Sequence, residues 1–183
     1  MTRASNLEHL TILIGEWETT VPDRDVTGRT TFEWLESGGF LIQRSTVQRP
    51  EYPDSISIIG ATGSDGALQQ HYFDSRGVAR IYDVTLKDNV WMMFRDGPDW
   101  PQRFVGHFSA DGNTIHARLE RGSYPGGPLE HDFDMVYTRI SGTCDPPYYR
   151  AVNATLQIGH RWQQRRNTHE KPAPYADEQQ QVT

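Results

Sequence analysis

The sequence predicts an all-β domain: an antiparallel up-and-down barrel of about ten strands, behind a short N-terminal helix and ahead of an irregular C-terminal tail. Three observations carry this. Turn signals recur at short, even intervals between residues 16 and 140. The segments between them alternate apolar and polar residues. No amphipathic helix of useful length interrupts them, so parallel strands lack their crossovers. A run of hairpins leaves two edges to hide, and closure into a barrel hides both. The same turn spacing also fits a two-sheet sandwich.

Each element has its own warrant. Ser5 and Asn6 suit a helix start, Leu7, Leu10, Thr11 and Ile14 recur at helical spacing, and Gly15 ends the run. Ten strands follow: Glu16–Val21, Gly28–Glu36, Phe40–Gln48, Ser55–Thr62, Leu68–Asp74, Val78–Leu86, Val90–Arg95, Gln102–Ser109, Thr114–Arg121 and Leu129–Arg139. Between them lie Ser37-Gly38-Gly39, Ser64-Asp65-Gly66, Ser75-Arg76-Gly77, Lys87-Asp88-Asn89, Asp96-Gly97-Pro98, Asp111-Gly112-Asn113 and Pro125-Gly126-Gly127. Gly, Asn and Asp tolerate the positive φ of hairpin turns. Period two puts Phe32 with Trp34 on one face, Arg80 with Tyr82, Trp91 with Met93 and Arg95, and Phe133 with Met135 and Tyr137. The inward face of each strand is left open at this point.

Residues 1–141 form the predicted barrel domain and 142–183 an extension. The stretch around Tyr148 to Trp162 fits a weak helix or an extended arm. Asn167 to Thr183 is too polar to build a core. The 183 residues suit one domain, with a net charge of -6 and 16 Arg against 2 Lys. Without a basic surplus, binding to a nucleic-acid backbone is disfavoured. No apolar run is long enough for a membrane-spanning helix. Met1 to His9 lacks the apolar stretch of a signal peptide, which predicts a cytoplasmic address without a membrane partner. A homodimer is compatible with all of this. A lone Cys144 precludes an intramolecular disulfide, and no zinc-ligand spacing is present.

Two stretches carry a family resemblance. Leu10-Thr11-Ile12-Leu13-Ile14-Gly15-Glu16-Trp17 resembles the helix-then-Gly-x-Trp opening of calycins, the superfamily of lipocalins, fatty-acid-binding proteins and nitrobindins. The run from His71 to Tyr82, with Trp91–Arg95, Gln102-Arg103-Phe104 and His131–Tyr137, is similar to bacterial lipocalin-like proteins. The resemblance covers roughly residues 7 to 140. It implies a barrel with an internal pocket, Trp17 capping one end, and no particular reaction. Nitrobindins hold haem on a barrel histidine, and His131 is the residue that resemblance would assign. Their proline-containing motif after Gly-x-Trp is missing, as the strand here runs Glu18-Thr19-Thr20-Val21-Pro22-Asp23.

The candidate site lies in the barrel interior. If their faces point inward, Arg80, Tyr82, Trp91, Met93 and Arg95 place two guanidinium groups among aromatic rings. Trp34, Tyr72, Phe104, Phe133 and Tyr137 complete the predicted ligand-binding set. A planar acid suits it, its ring stacking while Arg pairs the anion bidentately. On the opposite parity, Arg80 and Arg95 would instead bridge to Asp74, Asp83 or Asp96 outside. His71, His107, His116 and His131 all fall within strands, where each is either a general base or a surface residue. Alternation sets His131 on the face opposite Asp132 and Asp134, so those three make no metal site. Asp74-Ser75-Arg76-Gly77 either presents a carboxylate beside an Arg at the mouth or is stapled by its own Asp. Loop residue Trp100 either gates the mouth or packs elsewhere.

The reading is therefore a barrel that binds a small aromatic or amphipathic organic acid. The alternative is a cofactor-free enzyme of the cyclase, isomerase or dehydratase type, with His71, Tyr82 and Arg80 as its candidate catalytic residues. The third is haem binding through His131. No other cofactor and no metal is implied.

Overall fold

The structure is a computed structural model that describes residues 5–35, 38–62 and 66–140. The extension from 141 onward, with Cys144 and the stretch 148–162, lies outside the described residues. The barrel belongs to a unit running from Met1 to Cys144.

Ten antiparallel strands form one closed ring: β1 (Gly15–Val21), β2 (Val26–Leu35), β3 (Phe40–Val47), β4 (Ser55–Thr62), β5 (Ala67–Asp74), β6 (Ala79–Lys87), β7 (Val90–Arg95), β8 (Gln102–Phe108), β9 (Thr114–Arg121) and β10 (Glu130–Arg139). Each pairs with its neighbours in sequence, and β1 closes on β10 with Trp17 opposite Arg139 and Thr20 opposite Val136. Closure leaves no edge strand and rules out the sandwich. The β6–β7 turn is built on Asp88 and Asn89, whose φ angles of 52° and 61° are those a two-residue hairpin loop demands.

The N-terminal element differs from the expected α-helix. Ser5–Leu13 is a 3-10 helix, and Ile14 N–H still bonds Thr11 C=O three residues back at 3.1 Å. Packing dictates the tighter winding: nine residues gain little from α hydrogen bonds alone, and this geometry turns Leu7, Leu10 and Leu13 into the barrel end, each no more than 1% exposed. Trp17 fastens the plug from below. Its indole N–H bonds Leu13 C=O at 2.8 Å, and the Arg139 guanidinium stacks 4.0 Å from its ring. The same guanidinium donates to Ile14 and Ile12 carbonyls at 2.6 and 2.7 Å.

The interior changes character along the axis. Near the plug it is apolar, with Trp17, Trp34, Leu41, Ile59, Phe108 and Ile115 buried. A layer of rings follows, Phe32, Trp91, Phe104 and Tyr137. Towards the other end polar residues join the buried inward set, Thr19, Thr30, Gln43, Ser57, Gln70 and Gln102, beside the apolar Val21 and Val26. We call that end the mouth.

Simple alternation fails at one strand. A β-bulge between His131 and Phe133 inserts one residue into β10, so His131 and Asp134 share the outer face. The imidazole Nε2 lies 3.0 Å from the Asp134 carboxylate. The expected opposition of those two residues is thereby corrected.

Candidate functional site at the barrel mouth

Strand register gathers the site. Arg95 on β7, Gln102 on β8 and Arg121 on β9 are successive partners in one row. Arg80 faces Tyr72 across β6 and β5, and Tyr82 faces Gln70. Tyr72 in turn faces Ser57, and Ser57 faces Gln43. Directly opposed residues share a sheet face, so all of these point inward.

The β6–β9 wall is cationic. Arg80 Nη1 donates to Gln102 Oε1 at 3.1 Å, and the Tyr82 hydroxyl donates to the same oxygen at 2.8 Å. Arg80 Nε is buried with no hydrogen-bond partner. Arg95 is nearly enclosed, its side chain 9% exposed; Nη1 donates to Trp100 C=O at 3.2 Å, and Asp99 stands 4.0 Å away. Gly97 packs directly on this guanidinium, leaving no room for a Cβ there. The Arg121 guanidinium lies 5.7 Å from the Trp100 ring centre. Among the described residues, neither Arg80 nor Arg121 has a carboxylate within ion-pair distance.

The β1–β5 wall is neutral and hydroxylated. Thr19, Thr30 and Ser45 form a chain of hydroxyl contacts at 3.3 and 2.9 Å. Gln43 Nε2 donates to Ser45 at 3.4 Å, and Gln70 Nε2 to Ser57 at 3.0 Å. The other amide atoms, Gln43 Oε1 and Gln70 Oε1, are buried without a partner.

Asp74 anchors the rim, its side chain 0% exposed. It accepts the Arg76 guanidinium at 2.6 Å, the Arg76 and Val78 backbone N–H groups, and the Tyr72 hydroxyl at 3.1 Å. The turn is thus both stapled by its own Asp and placed at the mouth. Burial pushes the Asp74 carboxyl up, but these hydrogen bonds outweigh it and hold the group at about 2. Burial, with Asp74 second, pushes the Tyr72 phenol up to about 12. Burial also raises Tyr82, against the opposing charges of Arg80 and Arg95. Both phenols are donors at neutral pH. Below them Trp91 meets Phe104, Phe32 and Tyr137 edge-on at 4.7, 5.7 and 6.1 Å. Its Nε1 is also buried without a partner.

All ten predicted ligand-binding residues hold inward positions. Trp34 lies towards the plug, Trp91, Phe104 and Tyr137 in the ring layer, and Tyr72, Arg80, Tyr82, Met93 and Arg95 towards the mouth. Phe133 sits under the Arg24 guanidinium at 4.2 Å, and Arg24 pairs with Asp132 at 2.6 Å. The histidines go the other way. His71, the candidate base, is on the outer wall, as are His107, His116 and His131, so His131 presents no ligand to a haem inside the barrel. Period two decides this: each is an odd step from an inward neighbour, Leu68, Phe104, Ala117 and, across the bulge, Phe133. No group of three metal-ligating side chains occurs among the described residues. Gln43, Ser57, Gln70, Gln102 and Arg121 were not in the predicted set. Their one sequence signal is shared parity with Leu41, Ile59, Leu68, Phe104 and Leu119.

The outer wall carries open grooves. One, of about 530 Å³, runs over β5–β7 past His71, Phe73, Ile81 and Phe94, with Arg80 and Arg95 also among its lining residues. Another, of about 510 Å³, covers β8–β10 around His107 and His116. They are solvated sheet surface, whereas the four orphaned polar atoms lie inside.

No family model matches the chain, and no curated protein matches it. Among solved structures it is similar to Rv2717c from M. tuberculosis, with a TM-score of 0.50 and 13% identity over 76% of this chain and 99% of that one. At that identity the likeness bears on the fold alone. No helix among the described residues is long and apolar enough to cross a membrane.

Proposed function

We propose that this is a calycin-type barrel that binds a small aromatic organic acid inside its mouth. The single observation that carries the reading is Arg80. Its guanidinium spends Nη1 on a neutral amide, Gln102, and leaves Nε buried and unpartnered. A half-buried guanidinium with a buried, unpaired Nε and no carboxylate within ion-pair distance among the described residues is costly in the free protein, and that cost is relieved when an anion arrives. The Nε–Nη2 edge of Arg is the fork that a carboxylate fits. Tyr82 and Gln102 fix the fork's direction, Arg95 and Arg121 add positive potential beside it, and the Trp91 layer offers ring contacts below.

The enzymatic alternative has less support. A proton-moving site needs a base poised near neutrality. Tyr72 and Tyr82 are held protonated, Asp74 is committed to four donors, and His71 is outside. The haem reading loses its assigned ligand in the same way.

Isothermal titration with benzoate and with benzamide tests the proposal, since the two share shape and differ in charge. Benzoate binds and benzamide does not, and Arg80→Met removes benzoate binding. Equal affinity for the two, or an unchanged Arg80→Met, overturns it.

A further inference from the structure

The two walls of the mouth make different demands on a ligand. The cationic wall asks for an anion. The wall built by β1–β5 asks for something a hydrocarbon lacks. Gln43 and Gln70 both flank Ser57: Gln43 is its direct cross-strand partner, and Gln70 donates to its hydroxyl. Each amide uses one end and leaves the other buried and unpartnered. An acyl chain or bare ring laid against this wall would strand both groups, and buried polar groups are normally paired. The argument survives exchange of an amide's O and N, because the orphan then becomes an N–H, and a hydroxyl serves either by donating or accepting. The neighbouring hydroxyls of Thr19, Thr30 and Ser45 are engaged with one another, so they hold the wall in place and leave the two buried amide ends as its unpaired positions.

We infer that the ligand is a polyhydroxylated organic acid, its carboxylate on Arg80 and at least two hydroxyls on the Gln43–Ser57–Gln70 wall. This rests on the acid-binding reading above and extends it from charge to class. Fatty acids and unsubstituted aryl acids are then weaker ligands of the same site than their hydroxylated counterparts.

The test compares benzoate, 3,4-dihydroxybenzoate, 3,4-dimethoxybenzoate and octanoate by isothermal titration on the full chain. The dihydroxy acid binds at least about tenfold tighter than benzoate, the scale of two extra hydrogen bonds. With the amide oxygens as the unpaired ends, the dimethoxy acid has no hydroxyl to donate to them and loses that advantage, and octanoate is weakest. Gln70→Met and Gln43→Met each shrink the gap between dihydroxybenzoate and benzoate. The wild-type ranking alone decides the matter if either variant folds poorly. Benzoate and dihydroxybenzoate binding equally, both through Arg80, would overturn the hydroxylated class and leave the acid site standing. Octanoate binding tightest would overturn it too. No Arg80-dependent binding of any acid would overturn the acid site, and the inference with it.

Discussion

Replacing Arg80 by Met separates function from stability, because the two should move in opposite directions. The Arg80–Gln102 contact is a hydrogen bond to a charged group, a type that contributes about 1.5–3 kcal/mol. Against it stands the desolvation of a guanidinium whose Nε is buried and which has no carboxylate partner among the described residues. Full burial of an ion costs several kcal/mol and the half-buried Arg80 bears part of that, while replacing buried ion pairs by apolar groups of similar volume is often neutral or stabilising by about 1–4 kcal/mol. The difference places Arg80→Met about 0–2 kcal/mol above the wild type in stability, since Tyr82 still satisfies Gln102 Oε1. Binding goes the other way. Loss of two charge-assisted bonds from the Nε edge removes about 3 kcal/mol, which at about 1.4 kcal/mol per decade is a roughly 150-fold weaker Kd. Urea denaturation followed by tryptophan fluorescence reads the first effect, and calorimetry with benzoate the second. Benzoate binding within threefold of wild type would refute the reasoning. So would destabilisation beyond about 2 kcal/mol, which would make Arg80 a structural residue.

Three further outcomes follow from the fold. Asp74 has a carboxyl held at about 2, below its ordinary 3.8, so its stabilisation is complete above about pH 4 and lost as pH falls towards 2. Asp74→Ala should therefore cost stability at pH 7 and show a smaller loss between pH 4 and 2 than the wild type. Parallel acid limbs would contradict this. Leu10→Ala, which empties a fully buried site in the plug, should destabilise by about 3 kcal/mol in urea, within the range of buried Leu truncations. Gly28→Ala would set a Cβ 2.5 Å from the Thr46 carbonyl oxygen, so β2 and β3 must part, at about 1–3 kcal/mol by the same assay.

Much of the barrel was legible because turn chemistry and alternation are local signals. Ser55–Thr62, Val90–Arg95 and Thr114–Arg121 fall where the sequence places them. Closure follows from the edge argument, although no single residue announces that β1 meets β10. The N-terminal winding was not legible, since Leu7, Leu10 and Leu13 suit either helix until the barrel end they fill is known. Parity was the larger obstacle. Val78–Leu86 reads equally well with Arg80 inside or outside; burial of Val84 against Met93 and the Trp91 layer settles it inward. The bulge at His131 left no trace in composition, so its pairing with Asp134 went unseen. The neutral wall was missed because a Gln in an alternating strand looks like a surface residue. Only its register with Leu41 or Leu68 betrays it.

The most direct test of the acid site is a crystal structure of the protein with benzoate. The account predicts the carboxylate against the Nε edge of Arg80, inside the mouth, with the ring above the Trp91 layer. Benzoate lodged instead on the outer groove of Phe73, Ile81 and Phe94, with the Arg80 edge untouched, would contradict it.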